Sequence, residues 1–130
     1  MIADINLLQV LIAAVAAFAV GALWYSPLLF MKSWTAETGI DPNAEIENPA
    51  VVYGLTFVFT LLSALALAIV IGPDPRWVNA LQIAALVGVA IVATSLGINY
   101  QFARNSTRHW LIDSGFHIVR LLVIAAVLAI

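Results

Sequence analysis

Four long apolar runs dominate the sequence, at about residues 5–30, 50–71, 77–102 and 110–130. Each is long enough to supply the roughly 20 helical residues that cross the hydrocarbon core of a bilayer. Hydrophobic residues make up 64% of the chain and charged residues only 9%, whereas soluble domains carry about 25% charged residues. We therefore predict an all-α membrane protein, a single transmembrane domain over residues 1–130 with the lipid bilayer as its solvent.

The residue inventory excludes several classes of site. The chain has no cysteine, so disulfides, thiolate metal sites and cysteine nucleophiles are excluded. A net charge of -2 without a basic patch argues against nucleic acid as a partner. Two histidines, His109 and His117, cannot form a closed zinc site alone, and no hydrolase or phosphate-loop motif is found. We expect no metal, no cofactor and no catalytic residue.

Helix limits are marked by capping residues and prolines. The pairs Asn48-Pro49 and Asp74-Pro75 each place a capping residue before a proline at the first helical position. Either residue of Ser106-Thr107 is suited to cap the fourth helix. The largest loop covers residues 31–49, and a break near Gly39 predicts two short surface helices within it. The first apolar run is read as a retained helix, because no basic segment precedes it.

Basic residues in the short loops predict the orientation. The loops at residues 31–49 and 103–109 share one side of the membrane and carry Lys32, Arg104 and Arg108. The opposite side, which holds both termini, carries only Arg76. Three basic residues against one favour a cytoplasmic position for these two loops.

An internal repeat relates the two halves of the sequence. When Gly54 is aligned with Gly115, seven of 16 positions are identical without a gap. The first and third runs also begin alike, with Asn-Leu-Leu-Gln from Asn6 and Asn-Ala-Leu-Gln from Asn79. This pattern predicts two duplicated helical hairpins, related by a pseudo-twofold axis along the membrane normal. Shared membrane composition is the alternative explanation.

Small residues recur at four-residue spacing, which lets helix backbones approach closely within a membrane. Some of these stripes are needed to pack the four helices together, and the others are available for a homo-oligomer. We therefore expect the chain to self-associate. The three stripes are Ala13, Ala17, Gly21; Ala64, Ala68, Gly72; and Ala80, Ala84, Gly88.

Three ionisable residues share one face of the fourth helix. Asp113, His117 and Arg120 are spaced by four and three residues. Arg120 lies roughly 15 Å into the span by helical rise, where an arginine costs about 2.5–3.5 kcal/mol on insertion scales. It needs a partner. The candidates are Asp113, through a water or His117, and a carboxylate from a neighbouring subunit. If Asp113 does not pair with Arg120, we expect it to be a solvated charge near the membrane–water interface.

Other polar residues fall at the same membrane level, in the half that faces the loops at residues 31–49 and 103–109. The opposite half is expected to be a dry seam of small residues. The sequence therefore predicts a polar pocket in one leaflet. The alternative role for the same residues is hydrogen bonding between helices. The candidates for a ligand or ion pocket are Asp113, His117, Arg120, Asn99, Tyr100, Trp24, Tyr25 and Thr56.

Two motifs resemble a known family. The first is Gly-Ala-Leu-Trp-Tyr-Ser-Pro-Leu from Gly21, followed by Lys32 and Trp34. The second is Asn99-Tyr100 with Phe102, followed by Trp-Leu-Ile-Asp-Ser-Gly-Phe-His ending at His117. Over nearly its whole length the chain resembles the bacterial integral membrane family called domain of unknown function 1761. The matching positions are Gly21, Trp24, Tyr25, Pro27, Trp34, Asn99, Tyr100 and His117.

This resemblance implies four transmembrane helices and a bacterial inner-membrane location, and it supplies no established activity. The sequence departs from the family pattern at Ser26, where a glycine is expected, and at Asp113, where a neutral amide is expected. Arg120 is not part of the pattern. Asp113 and Arg120 are therefore interpreted as a pair of mutually compensating charges.

The leading functional interpretation is a self-associating multi-pass membrane protein whose polar pocket binds a small solute or lipid headgroup, or relays ions. The alternative is a structural or accessory subunit of a larger membrane complex. A third hypothesis is an intramembrane enzyme that uses His117 as an acid or base.

Overall fold

The computed structural model describes residues 2–130, which form α-helices and no β-strand. Four helical stretches have the length and composition to cross a membrane, so the predicted all-α architecture with four spans is confirmed. The first, second and fourth spans are α1 (Leu7–Trp24), α3 (Pro49–Ile71) and α6 (Thr107–Leu128). The third span, Trp77–Phe102, consists of α4 (Trp77–Val87), a π-helical turn (Gly88–Ala93) and α5 (Thr94–Phe102), while α2 (Met31–Thr38) lies in the first loop.

The first span is shorter than predicted. Helix α1 ends at Trp24 rather than near residue 30. Pro27 has no amide hydrogen to donate, and it disfavours the helical conformation at Ser26. The chain turns there instead, and the amide of Phe30 donates to the carbonyl of Trp24 at 3.0 Å. The apolar residues that follow Trp24 therefore belong to a turn and not to the span.

The predicted helix starts are partly correct. Ser106 caps α6, because its hydroxyl accepts from the amide of His109 at 3.0 Å. Asn48 occupies the cap position of α3 before Pro49, although in the left-handed conformation with φ 51° and without a capping bond from its side chain. The prediction for Asp74-Pro75 is wrong, since α4 begins at Trp77 after an extended Arg76. The chain bends at Pro73 and Asp74 in this short connection.

The first loop contains one helix where two were predicted. Helix α2 ends at Thr38 and is capped by Gly39, which adopts φ 72°, a left-handed conformation that glycine tolerates without a steric penalty. No helix forms between Gly39 and α3. In that segment the side chain of Asp41 accepts from the amide of Asn43 at 2.9 Å, a turn that competes with helix formation.

Helix α6 is the central helix of the bundle. It contacts α1, α3 and all parts of the third span, whereas α3 and α4 share only a small contact. A twofold axis between the hairpins would make the α1–α6 and α3–α4 contacts equivalent, and they are not. The duplication is therefore not shown by the packing and stays a prediction.

The three small-residue stripes pack inside the chain except at Gly72, where a Cβ atom would meet nothing within 4 Å. Ala13, Ala17, Ala64, Ala80 and Ala84 are fully buried. In the same way, a Cβ atom on Gly88 would lie 3.3 Å from the backbone of Ile118, and one on Gly21 would lie 3.2 Å from the ring of Phe116. These stripes bring the helices of one copy together, so any self-association would have to use other surfaces.

One polar contact closes the opposite end of the bundle. The side-chain amide of Gln9 donates to the carbonyl of Val127 at 2.8 Å and to that of Leu128 at 3.3 Å. The last carbonyls of a helix have no partner within the helix, and a membrane offers them no water at depth. Gln9 therefore satisfies the C-terminal end of α6 while it joins α1 to α6.

The contact between Gly115 and Trp24 allows a stability test. A Cβ atom on Gly115 would lie 2.9 Å from the Trp24 ring, so Gly115→Ala should destabilise the bundle by about 1–3 kcal/mol through overpacking. The matched control is Gly54→Ala, because a Cβ atom there meets nothing within 4 Å. Thermal unfolding in detergent, followed by circular dichroism, would measure both variants. Equal losses in the two would contradict the packing.

Candidate functional site

The Asp113 carboxylate contacts three side chains where the first, third and fourth spans meet. The hydroxyl of Tyr25 donates to Oδ1 of Asp113 at 2.6 Å, and the hydroxyl of Tyr100 donates to Oδ2 at 2.5 Å. Nε2 of His109 lies 3.0 Å from the same Oδ2, and the His109 and Asp113 side chains are each only 14% exposed. Sequence reasoning placed Asp113 in solvent; this was wrong, because two tyrosines and a histidine replace water around it.

The local sequence explains this cluster. His109 and Asp113 are four residues apart on α6, so they lie on one helical face. Tyr25 follows directly after α1, and Tyr100 lies in the last turn of α5. Burial, followed by the hydrogen bond to Asp113, raises the pKa of Tyr25 above its ordinary value, so its hydroxyl stays protonated and donates to the carboxylate.

Two tryptophans hold the neighbouring backbones in place. The indole N–H of Trp24 donates to the carbonyl of Ile112 at 3.0 Å, and that of Trp110 donates to the carbonyl of Ala93 at 2.8 Å. Ala93 is the last residue of the π-helical turn. Trp24 was predicted as a pocket residue, but the structure places it in a link between α1 and α6.

Arg120 does not pair with Asp113. Its Nε donates to Nδ1 of His117 at 2.8 Å, and its Nη2 lies 3.4 Å from the hydroxyl of Ser63. Nη1 is buried and has no hydrogen-bond partner within residues 2–130. The interpretation of Asp113 and Arg120 as a compensating pair is therefore wrong within one copy, because each side chain is held by other groups.

A cavity of about 770 Å³ lies beside the Asp113 cluster. Its roof is formed by α2 and the segment at residues 40–46, and its walls by the end of α1, the start of α3 and one face of α6. Five of the eight predicted pocket residues line it, while Trp24, Asn99 and Arg120 do not. Those five are Tyr25, Thr56, Tyr100, Asp113 and His117.

A second cavity of about 480 Å³ continues along the groove between α1 and α3. The two cavities share Tyr25, Tyr53, Thr56 and Phe116 among their lining residues. Thr56 offers little polarity there, because its hydroxyl donates to the carbonyl of Val52 at 2.7 Å. The groove is therefore mostly apolar, while the larger cavity has the ionisable groups.

Several site residues were not among the predicted pocket residues. His109 would have been found from its four-residue spacing to Asp113. Trp34 and Phe116 line the cavity and were named only as parts of the motifs. Ser63 carried no signal, because its approach to Arg120 depends on how α3 packs against α6. Asn99 is exposed on α5 and lies outside both cavities.

Comparison with protein-family models assigns the chain to a family. A model described as "Protein of unknown function (DUF1761)" matches residues 8–129. The chain belongs to the DUF1761 family. No curated protein and no solved structure matches it.

The DUF1761 motif positions form the contacts around α6. Gly21 accommodates the Phe116 ring, Trp24 bonds to the α6 backbone, and Tyr25 and Tyr100 bond to Asp113. The carboxylate at Asp113 suits these two donors, because each of its oxygens accepts one tyrosine hydroxyl. Within residues 2–130, no group of three metal-ligating side chains is present.

The hydrogen bond from Tyr100 can be tested by removing its hydroxyl. Tyr100→Phe should destabilise the protein by about 1.5–3 kcal/mol, the range for a hydrogen bond to a charged group. Tyr53→Phe is the matched control, because Tyr53 lines the same cavity and is 52% exposed. Chemical unfolding in mixed micelles would measure both changes. An equal effect of the two substitutions would show that the Asp113 bond contributes no stability.

Proposed function

We propose that this DUF1761 protein binds a small amphipathic organic cation in the larger cavity. This proposal rests on the Asp113 carboxylate, which is held in place beside an otherwise largely apolar cavity. Ligand sites commonly combine apolar walls with a few fixed polar groups. The charged end of the ligand would lie in the larger cavity, and its apolar end would lie in the groove between α1 and α3.

Charge supports a cationic ligand. Three acidic residues, Asp41, Glu45 and Asp113, line the cavity, and neither lysine nor arginine lines it among the described residues. An ionised carboxylate offers about four acceptor positions. Asp113 uses two of them on Tyr25 and Tyr100, and Nε2 of His109 lies 3.0 Å from Oδ2. Acceptor capacity remains for a donor or a positive charge on a ligand.

Aromatic side chains support the same assignment. A cation over an aromatic face gains about 0.5–1 kcal/mol when exposed and about 2 kcal/mol or more when desolvated. The Tyr25 ring packs edge-on against Trp34 at 5.7 Å and against Phe116 at 5.4 Å between ring centroids. Five aromatic residues line the cavity: Tyr25, Trp34, Tyr53, Tyr100 and Phe116.

The size of the cavity also fits a small molecule. Its volume of about 770 Å³ falls in the range of about 300–1,000 Å³ that is typical of ligand sites. The roof at residues 40–46 lacks helical structure and makes few bonds to the rest of the chain, so its opening would admit a ligand from the membrane boundary. On the basic-residue bias, we assign this boundary to the cytoplasmic side of a bacterial inner membrane.

Self-association remains part of the proposal. Large apolar side chains lie exposed along all four spans, such as Leu8, Phe59, Leu86 and Leu111. Lipid can cover these surfaces as well as a second copy can. Because the small-residue stripes are used inside one copy, the proposed contact between copies would use large side chains. Crosslinking in native membranes would detect it.

Binding can be tested with a cationic amphiphile in phosphatidylcholine nanodiscs. Dodecyltrimethylammonium should raise the unfolding temperature of the protein, and dodecanol, which lacks the charge, should raise it less. Asp113→Asn should weaken the apparent affinity for dodecyltrimethylammonium about tenfold, the equivalent of about 1.4 kcal/mol. The measurement is a titration of the unfolding temperature against ligand concentration.

Asp74→Asn serves as the control, because Asp74 lies in the connection at the far end of the bundle, outside the cavity. It should leave binding unchanged. Equal responses to the amphiphile and the alcohol, or equal affinities in the Asp113 and Asp74 variants, would refute the proposal. If Asp113→Asn instead breaks a complex isolated from membranes and no amphiphile has an effect, the accessory-subunit alternative is favoured.

A further inference from the structure

Arg120 lies deep in the fourth span. It follows Thr107, the first residue of α6, by about 20 Å of helical rise, and it precedes Leu128 by about 12 Å. Its side chain leans back toward the start of the helix, which brings the guanidinium to His117. An arginine at this depth is costly, and such residues pair with other groups or mark a binding site or ion path.

The partners of Arg120 within the chain are neutral acceptors. Nε bonds to His117, Nη2 bonds weakly to Ser63, and Nη1 is buried without a bond to residues 2–130. The Ser63 hydroxyl donates its own hydrogen to the carbonyl of Phe59 at 3.0 Å. Toward Arg120 it is therefore only an uncharged acceptor. The positive charge therefore has no counter-charge in direct contact within the described chain.

A second copy of the chain is a poor source of that counter-charge. Asp113 is the only acidic residue inside the four spans. Its carboxylate already accepts from Tyr25 and Tyr100 and lies beside His109. The other acidic residues lie outside the spans and cannot reach mid-span depth. They are Asp4, Glu37, Asp41, Glu45, Glu47 and Asp74.

A cavity of about 200 Å³ is lined in part by Arg120. It lies between α3 and the third span, and its only polar residues are Arg120 and Ser63. The remaining lining residues are apolar: Ala66, Leu67, Val70, Val87, Val92 and Leu121. Such a site matches a ligand with one anionic group and a hydrocarbon chain.

We propose that Arg120 binds the carboxylate of an apolar organic acid, which enters between α3 and the third span from the lipid. A guanidinium presents donors in a planar fork that fits a carboxylate, and Nη1 is the free arm of that fork. Because Nη1 is buried, the Arg120 side chain has to turn toward the cavity for Nη1 to meet the carboxylate. The apolar walls take the hydrocarbon chain. This site is separate from the cation site of the proposed function and does not rest on it.

Decanoate labelled with carbon-13 at its carboxyl group is the probe. With the wild-type protein in phosphatidylcholine nanodiscs, the carboxyl resonance should show a bound signal, shifted from that of decanoate in empty nanodiscs. Arg120→Leu should abolish this signal, and Arg120→Lys should weaken binding at least tenfold, since an ammonium lacks the fork. Arg76→Leu, a change at an exposed arginine between the second and third spans, should leave the signal intact.

Competition experiments with the wild-type protein test the proposal even if Arg120→Leu does not fold. Unlabelled decanoate should displace the bound signal, and methyl decanoate, its uncharged ester, should fail to do so. Chloride should displace it only at far higher concentration than decanoate does.

Three results would overturn the proposal. They are no bound signal in the wild-type protein, an equal signal in folded Arg120→Leu, and displacement by chloride as readily as by decanoate. The last would identify a site for free inorganic anions. Because this probe is an anion and the probe for the larger cavity is a cation, failure of one proposal leaves the other measurable.

Discussion

The bonds to the Asp113 carboxylate are the constraint on which this end of the bundle depends. A largely buried carboxylate is costly unless its lone pairs are satisfied, and here its two donors and the neighbouring His109 come from three different stretches of chain. Tyr25 fixes the end of the first span, Tyr100 the end of the third, and His109 the same face of α6. The tryptophan indoles add bonds between backbones at the same level. Removing the carboxylate would leave both tyrosine hydroxyls without their acceptor.

The two ends of the bundle differ because their side chains differ in size. At the end near Gln9, fully buried alanines such as Ala13, Ala64 and Ala80 let helices meet closely. At the other end, aromatic rings occupy the space between helices, and the first loop covers them. A cavity of about 770 Å³ lies there. The polar groups and the free volume therefore coincide, which is why this end is the candidate site.

The sequence predicts the four spans well, because span length and hydropathy depend on the lipid and not on the neighbouring helices. It also predicts the Ser106 cap and the face that carries Asp113, His117 and Arg120, since these depend on local geometry. Of the partners of those side chains, it predicts only that Arg120 reaches back toward His117. The bond between Arg120 and Ser63, and the roof over the cavity, arise from packing between segments far apart in sequence. The early end of α1 was predictable from Pro27, but the long apolar run obscured it.

The separation of Asp113 and Arg120 is what leaves each charge available to a ligand. A direct pair would neutralise both, and it would take the carboxylate away from Tyr25 and Tyr100. His117 lies between them on α6, lines the larger cavity, and accepts from Arg120 through Nδ1. His117 therefore gives Arg120 an uncharged acceptor, so Arg120 does not need the Asp113 carboxylate and the two charges stay apart on one helix.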